Sequence, residues 1–229
     1  MKKILVSIIC CLCMGLTSYA KNDPQDFKVI AYRADGTHFE GYVTTALRNY
    51  FRPKVSTVGI SETYKGEEKK YTSDEVVKIV FPANKNNTTP VVYEAVTAMT
   101  RTSMFSKMKP TKTPIFLRLI YEGENVKGYV MPYLDQTLTT NAVADWNIMT
   151  YTYTYFFMTA DDGIAKPYWT DMDGVIPNLK GVIKKFLKDF PEIGEMIDKG
   201  ELKPKEFRKN PSIVYPIMDD ALAKRKAKK

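Results

Sequence analysis

Apolar residues alternate with polar ones along much of the chain from Phe27 to Thr159, and after Gly163 their spacing lengthens to about 3.6 residues. A spacing of two puts side chains on alternate faces of a strand, whereas 3.6 gathers them on one side of a helix. Strands first and helices afterwards give an α+β fold class: an antiparallel β-sheet or open barrel followed by a C-terminal helical segment.

The β-rich region is expected over residues 21–163. Two β-prone runs in FKVIAYRADGTHFEGYVTT flank Asp35-Gly36, a pair suited to the type I′ turn of a two-residue hairpin. Val55, Val58 and Ile60 mark another strand. KKYTSDEVVKIVFP sets a polar turn at Thr72 to Glu75 before a strand from Val76 to Phe81, which Pro82 ends. KNNTTP is a loop leading into the strand VVYEAVTAM, and Thr102 to Thr113 is a longer connection. PIFLRLIYEGENVKGYVMPY reads as the strongest hairpin, turning at Glu122-Gly123-Glu124-Asn125. MTYTYTYFFMT, from Met149 to Thr159, reads as a long strand with a tyrosine face.

The helical region is expected over residues 164–223, packed on the sheet, with a basic tail at 224–229. Ile176, Leu179, Ile183, Phe186, Leu187 and Phe190 share one face, which predicts a helix of about fourteen residues stopped before Pro191. A second runs from Glu192 to Lys199 and ends at Gly200, a third from Pro204 to Lys209, and a fourth from Ile213 toward the tail.

Residues 1–20 have the order of a secretory signal: Lys2 and Lys3, an apolar run from Ile4 to Leu16, then Ser18 and Ala20 at the small-residue cleavage positions. The mature chain is expected to start at Lys21, and its location to be periplasmic or secreted. The apolar run falls short of the ~20 residues that cross a bilayer, so no transmembrane span is expected in the mature chain. Cys10, Cys11 and Cys13 all lie within this segment, which leaves no thiol for a disulfide, a metal or catalysis after processing. Removing 20 of the 229 residues leaves 209, enough for a core without covalent staples.

The formal charge of +8 is concentrated at the ends: Lys2 and Lys3 leave with the signal, and five cations lie in the last six residues, so residues 21–223 carry about +1. No nucleic-acid partner is expected. Lys224, Arg225, Lys226, Lys228 and Lys229 form a candidate contact for an anionic membrane surface or polyanion, or else a solvated helix end.

RLIYEGENVKGYVMPY, then YTYTYFFM, then VIKKFLKDFPEIGEMI, with KKYTSDEVVKIVF upstream, resembles a broad group of small exported proteins from Gram-negative bacteria. These share a Tyr-Glu-Gly hairpin, a tyrosine-rich strand and a Phe-x-x-x-Phe-Pro helix. The resemblance covers residues 71–81 and 115–200, and its motifs are structural. The group has no assigned activity, so the resemblance implies no catalytic residue.

His38 is the sole histidine and reads as a cross-strand surface residue. Asp161-Asp162-Gly163 and Asp171-Met172-Asp173-Gly174 offer oxygen ligands but do not complete a calcium loop, and turns account for both. There is no Gly-x-Ser-x-Gly elbow and no Walker or Rossmann loop. No catalytic residue, metal site or cofactor is therefore assigned. The expected role is non-enzymatic binding or assembly in the cell envelope, with an envelope protein or a glycan as partner. Tyr151, Tyr153 and Tyr155, with Trp146 and Trp169, are the candidate binding surface, unless this face is the sheet's contact with the helices. The alternative is a hydrolase of envelope or extracellular polymers using a carboxylate pair.

Overall fold

The computed structural model describes residues 23–44, 56–85, 88–100, 107–135, 150–171, 176 and 178–228, with side chains for all of these except 132–135 and 150–152. The expected signal peptide, Trp146 and Lys229 lie outside the described residues.

Among the described residues the strands are β1 Lys28–Arg33, β2 His38–Val43, β3 Thr57–Ser61, β4 Lys69–Thr72, β5 Val76–Phe81, β6 Val91–Thr100, β7 Lys109–Pro110, β8 Ile115–Glu122, β9 Val126–Asp135, β10 Thr150–Thr159 and β11 Ile164–Thr170. They join in the order β11-β10-β9-β8-β6-β5-β1-β2-β3-β4, with β7 attached to β6. Neighbours are antiparallel, but β11 also pairs in parallel with β6 at Ile164↔Thr97 and Ala165↔Ala98. That contact closes β6, β8, β9, β10 and β11 into a ring, so this half of the sheet is a small barrel. Val96, Ala98, Ile115, Leu117, Tyr129, Met131 and Phe156 fill it. The other half curls over a second core that includes Val29, Ala31, Val58, Ile60, Ile79, Phe81 and Tyr93.

Two local differences from the sequence reading have clear causes. In the first hairpin only Gly36 takes a positive φ, 85°, and the bonds Gly36 N to Arg33 O (3.0 Å) and Arg33 N to Thr37 O (2.8 Å) define a three-residue loop with a glycine bulge. The Asp35 carboxylate accepts from the Thr37 amide (2.9 Å) and hydroxyl (2.6 Å), which favours this loop over the type I′ turn. Secondly, β11 occupies residues 164–170, where helix was expected to begin. Its register with β10 passes from Trp169 to Pro167, so Tyr168 is the extra residue of a bulge. The bulge turns Tyr168 and Trp169, adjacent in sequence, into the same core.

Among the described residues four α-helices follow: α1 Leu179–Phe186, α2 Pro191–Lys199, α3 Pro204–Lys209 and α4 Tyr215–Lys226, the last preceded by a 3-10 turn at Pro211–Val214. At 8 residues α1 is shorter than its periodicity suggests. Asn178 at φ 50° caps its start by accepting from Gly181 N, and Leu187 already leaves helical geometry. Pro191 disfavours helix at Phe190 and then serves as the first residue of α2, so one proline separates two helices. Gly200 ends α2 at φ 78°, the left-handed cap expected there.

The helices bury Ile183, Leu187, Phe190, Ile193, Phe207 and Tyr215 against Phe157, Tyr168 and Trp169 of the barrel wall. Tyr215 is fully buried. Its hydroxyl proton is shared between the carbonyl oxygens of Phe156 (2.9 Å) and Tyr129 (3.1 Å), across the β9–β10 pair. Its ring lies over Gly128, where an added Cβ would stand 2.5 Å from ring carbons. Gly128→Ala is therefore expected to cost about 3 kcal/mol in a urea unfolding titration, because the pinned ring has nowhere to move.

Candidate functional site

The tyrosine strand is a seam rather than an open surface at Tyr155 and Phe157. Tyr155 is half-buried against the helices, its ring 6.3 Å from that of Tyr168, and burial pushes its hydroxyl up to about 12. Trp169 is 3% exposed and stacks edge-on to Phe207 at 5.0 Å. Phe157, on the same face of β10, is also in this core, and Tyr153 is half-buried. Tyr151 lies on β10, but its side chain is outside the described set, as is all of Trp146. The structure thus commits Tyr155 and Trp169 to holding sheet and helices together.

The basic tail is similarly engaged. Helix α4 runs to Lys226, and the Arg225 guanidinium bonds the Glu192 carboxylate (2.8 Å) and the Asp189 carbonyl (3.2 Å) while lying 5.5 Å from the Phe190 ring centre. Lys226 donates to Asn125 Oδ1 at 2.8 Å, in the turn between β8 and β9. Lys224 and Lys228 are exposed. Two of the five cations therefore fasten the helix end to the domain. Deleting residues 224–229 is expected to lower Tm by a few degrees, since partly exposed ion pairs contribute about 1 kcal/mol or less each. A Lys228→Ala change alone should leave Tm unmoved.

A described cavity lies elsewhere, at the open end of the N-terminal half. Strand β2 pairs with β1 over five positions but with β3 only at Tyr42↔Ser61 and Val43↔Ile60, so its beginning parts from the β3–β4 hairpin. The gap is a groove of about 1080 Å³. Its floor is Phe39 and Tyr71, half-buried against the N-terminal core with ring centres 5.1 Å apart, beside Ile60 and Ser61. Arg33 lies 4.8 Å above the Phe39 ring and Lys69 5.2 Å from that of Tyr71, both within cation–π range. Glu40, Glu62, Glu67, Glu68 and Lys70 complete the rim. Lys28, 2.8 Å away, hydrogen-bonds the Glu40 carboxylate and holds its carboxyl below the usual range. Glu68 accepts from the Thr44 hydroxyl.

Sequence reasoning did not find this groove. Phe39 and Tyr71 each sit in an ordinary alternating strand pattern, and only the curl of β2 away from β3 brings them together. The one local sign was a cation two residues before Tyr71 in KKYT, a spacing that puts both on the same side of a strand.

Other candidate groups are accounted for by structure. Glu94 and Glu122 are brought together by Lys127, whose ammonium lies 3.1 Å from each, and the buried Tyr129 hydroxyl donates to Glu94 at 2.7 Å. Both carboxylates thus share one ammonium as an ion-pair cluster across the sheet. His38 is exposed and faces Tyr32 across the hairpin, ring centres 5.6 Å apart. Asp162 accepts from Ile164 N at 3.2 Å and pairs with Lys166, closing the turn at Gly163. Residues 172–174 of the second acidic turn are outside the described set. Among the described residues no three His, Cys, Asp or Glu side chains converge as a metal site, and no helix is long and apolar enough to cross a membrane.

No protein-family model matches the chain, and neither curated proteins nor solved structures give a match.

Proposed function

We propose that the chain is an exported protein of the cell envelope, periplasmic or secreted, that binds a ligand in the groove of its N-terminal half without turning it over. The observation that carries this reading is the pair of adjacent half-buried rings, Phe39 and Tyr71, on the floor of an open groove of about 1080 Å³. Aromatic faces beside polar groups that fix orientation are a recurring make-up of ligand sites, and here seven charged residues surround the two rings. Glu40, held ionised by Lys28, is a poor proton donor, which favours binding over the hydrolase alternative. Export rests on the charge, apolar and cleavage pattern of residues 1–20.

The test is a photo-crosslinking residue placed at Lys70 in the protein expressed in its own cells, with Lys209 on the helical side as control. Processing at Lys21 and an envelope adduct from position 70 alone are expected. An unprocessed chain, or equal adducts at both positions, would overturn the reading.

A further inference from the structure

The make-up of the groove narrows its ligand, given the reading that the groove is the binding site. Its volume, about 1080 Å³, is at the top of the range of about 300–1,000 Å³ for drug-sized ligands, so it suits several linked rings rather than one. Its floor offers two aromatic faces backed by the N-terminal core, with Phe39 and Tyr71 at 39° to one another. Rings fixed by packing present apolar area at little entropic cost on binding. The rim carries carboxylates at Glu40, Glu62, Glu67 and Glu68 together with ammonium and guanidinium groups at Arg33, Lys69 and Lys70.

That mixture selects against either sign of net charge. An anionic chain would meet four carboxylates, and a cationic chain three cations; each like-charge approach costs binding energy. The ligand that fits must therefore be neutral, yet able both to donate to carboxylates and to accept from N–H groups along its length. Hydroxyls do both. It must also carry flat apolar faces to lie on Phe39 and Tyr71. An extended peptide added to the sheet is a poorer fit, because β4 ends the strand order and its Lys69 and Lys70 are the side chains that guard an edge against strand addition.

We infer that the groove binds a neutral oligosaccharide, with sugar faces stacked on Phe39 and Tyr71 and hydroxyls bonded to the charged rim. Arg33 and Lys69 lie over the Phe39 and Tyr71 rings, so a stacking sugar takes the place of these cation–π contacts and its hydroxyls accept from their N–H groups, while Glu62 and Glu67 supply acceptors from the connection between β3 and β4.

The processed protein would be titrated by calorimetry with the neutral hexamers of cellulose, xylan, mannan and chitin, with hexagalacturonate and the chitosan hexamer as anionic and cationic comparisons. Two variants accompany it: Tyr71→Leu, which keeps bulk but removes the ring, and the exposed Arg33→Gln. Binding of at least one neutral hexamer is expected, weakened tenfold or more by Tyr71→Leu and measurably by Arg33→Gln, with Tm of the rim variant unchanged. Binding confined to a charged hexamer but sensitive to Tyr71→Leu would overturn the neutral-sugar assignment while leaving the groove as the binding site. Binding that neither variant alters, or none to any hexamer at millimolar concentration, would overturn the assignment outright.

Discussion

Raising the pH from about 10 toward 12 is expected to unfold this protein cooperatively, because of the tyrosines in its core. Tyr129, Tyr168 and Tyr215 are at most 1% exposed, and burial raises the hydroxyl of each well above its ordinary value. At Tyr129 the bonded Glu94 carboxylate opposes a phenolate as well. In the unfolded chain these phenols ionise near pH 10. Above that pH the unfolded state therefore holds fewer protons than the folded one, and stability falls as pH rises. Three such groups give a slope of about 4 kcal/mol per pH unit, against a total stability of about 5–15 kcal/mol for a typical domain. Tyr155, pushed up to about 12, adds to the loss in the same window. Circular dichroism and tyrosinate absorbance followed together should show the buried phenols ionising in one step with loss of structure. Smooth ionisation near pH 10 with the fold intact would mean that water reaches these hydroxyls.

The same tyrosines show what the sequence could and could not convey. Elements set by local chemistry were legible: the turn at Thr72 to Glu75 before β5, the Pro204 start of α3 and the Gly200 stop of α2 depend on nearest neighbours. So was the α+β order, which follows from a change of period. The closure of the barrel was not, since the parallel contact of Ile164 with Thr97 joins segments that no local pattern links. Alternation along β10 puts Tyr151, Tyr153 and Tyr155 on one face of the strand, as it does Phe157. It carries no information on whether water or a helix covers that face, and the answer depends on Phe207 and Tyr215 arriving from the far end of the chain. Nor does any local pattern announce the bulge beside Pro167, which lets β11 turn two aromatic residues inward. The groove was hidden for the converse reason: Phe39 and Tyr71 look like core residues locally, and the splaying of β2 from β3 leaves them at a mouth.

The Tyr-Glu-Gly turn gains its meaning from the C-terminal helix, and Asp219→Ala is the substitution that exposes this. The turn between β8 and β9 leaves two amides, Asn125 N and Val126 N, pointing away from their own hairpin, and Asp219 Oδ1 accepts from both at 2.7 and 2.9 Å. Val126 is buried and Asn125 nearly so, so water cannot readily replace the carboxylate. Leaving two buried N–H groups unpaired costs about 1–3 kcal/mol each, so Asp219→Ala should destabilise by roughly 3–4 kcal/mol and lower Tm by about 10 °C. Asp219→Asn keeps an acceptor oxygen and should lose only about 1 kcal/mol, the difference between charged and neutral bonds. Equal losses for the two variants would show that charge, not acceptance, is what the turn requires. Gly123 supplies an independent check, because a Cβ there would stand 2.6 Å from the Asp219 carboxyl carbon. Gly123→Ala should therefore destabilise the native protein by about 2 kcal/mol but cost much less when Asp219 is already alanine. A non-additive double-mutant cycle of that sign places the turn and the helix in one unit, whereas additive losses would mean that each is stable without the other.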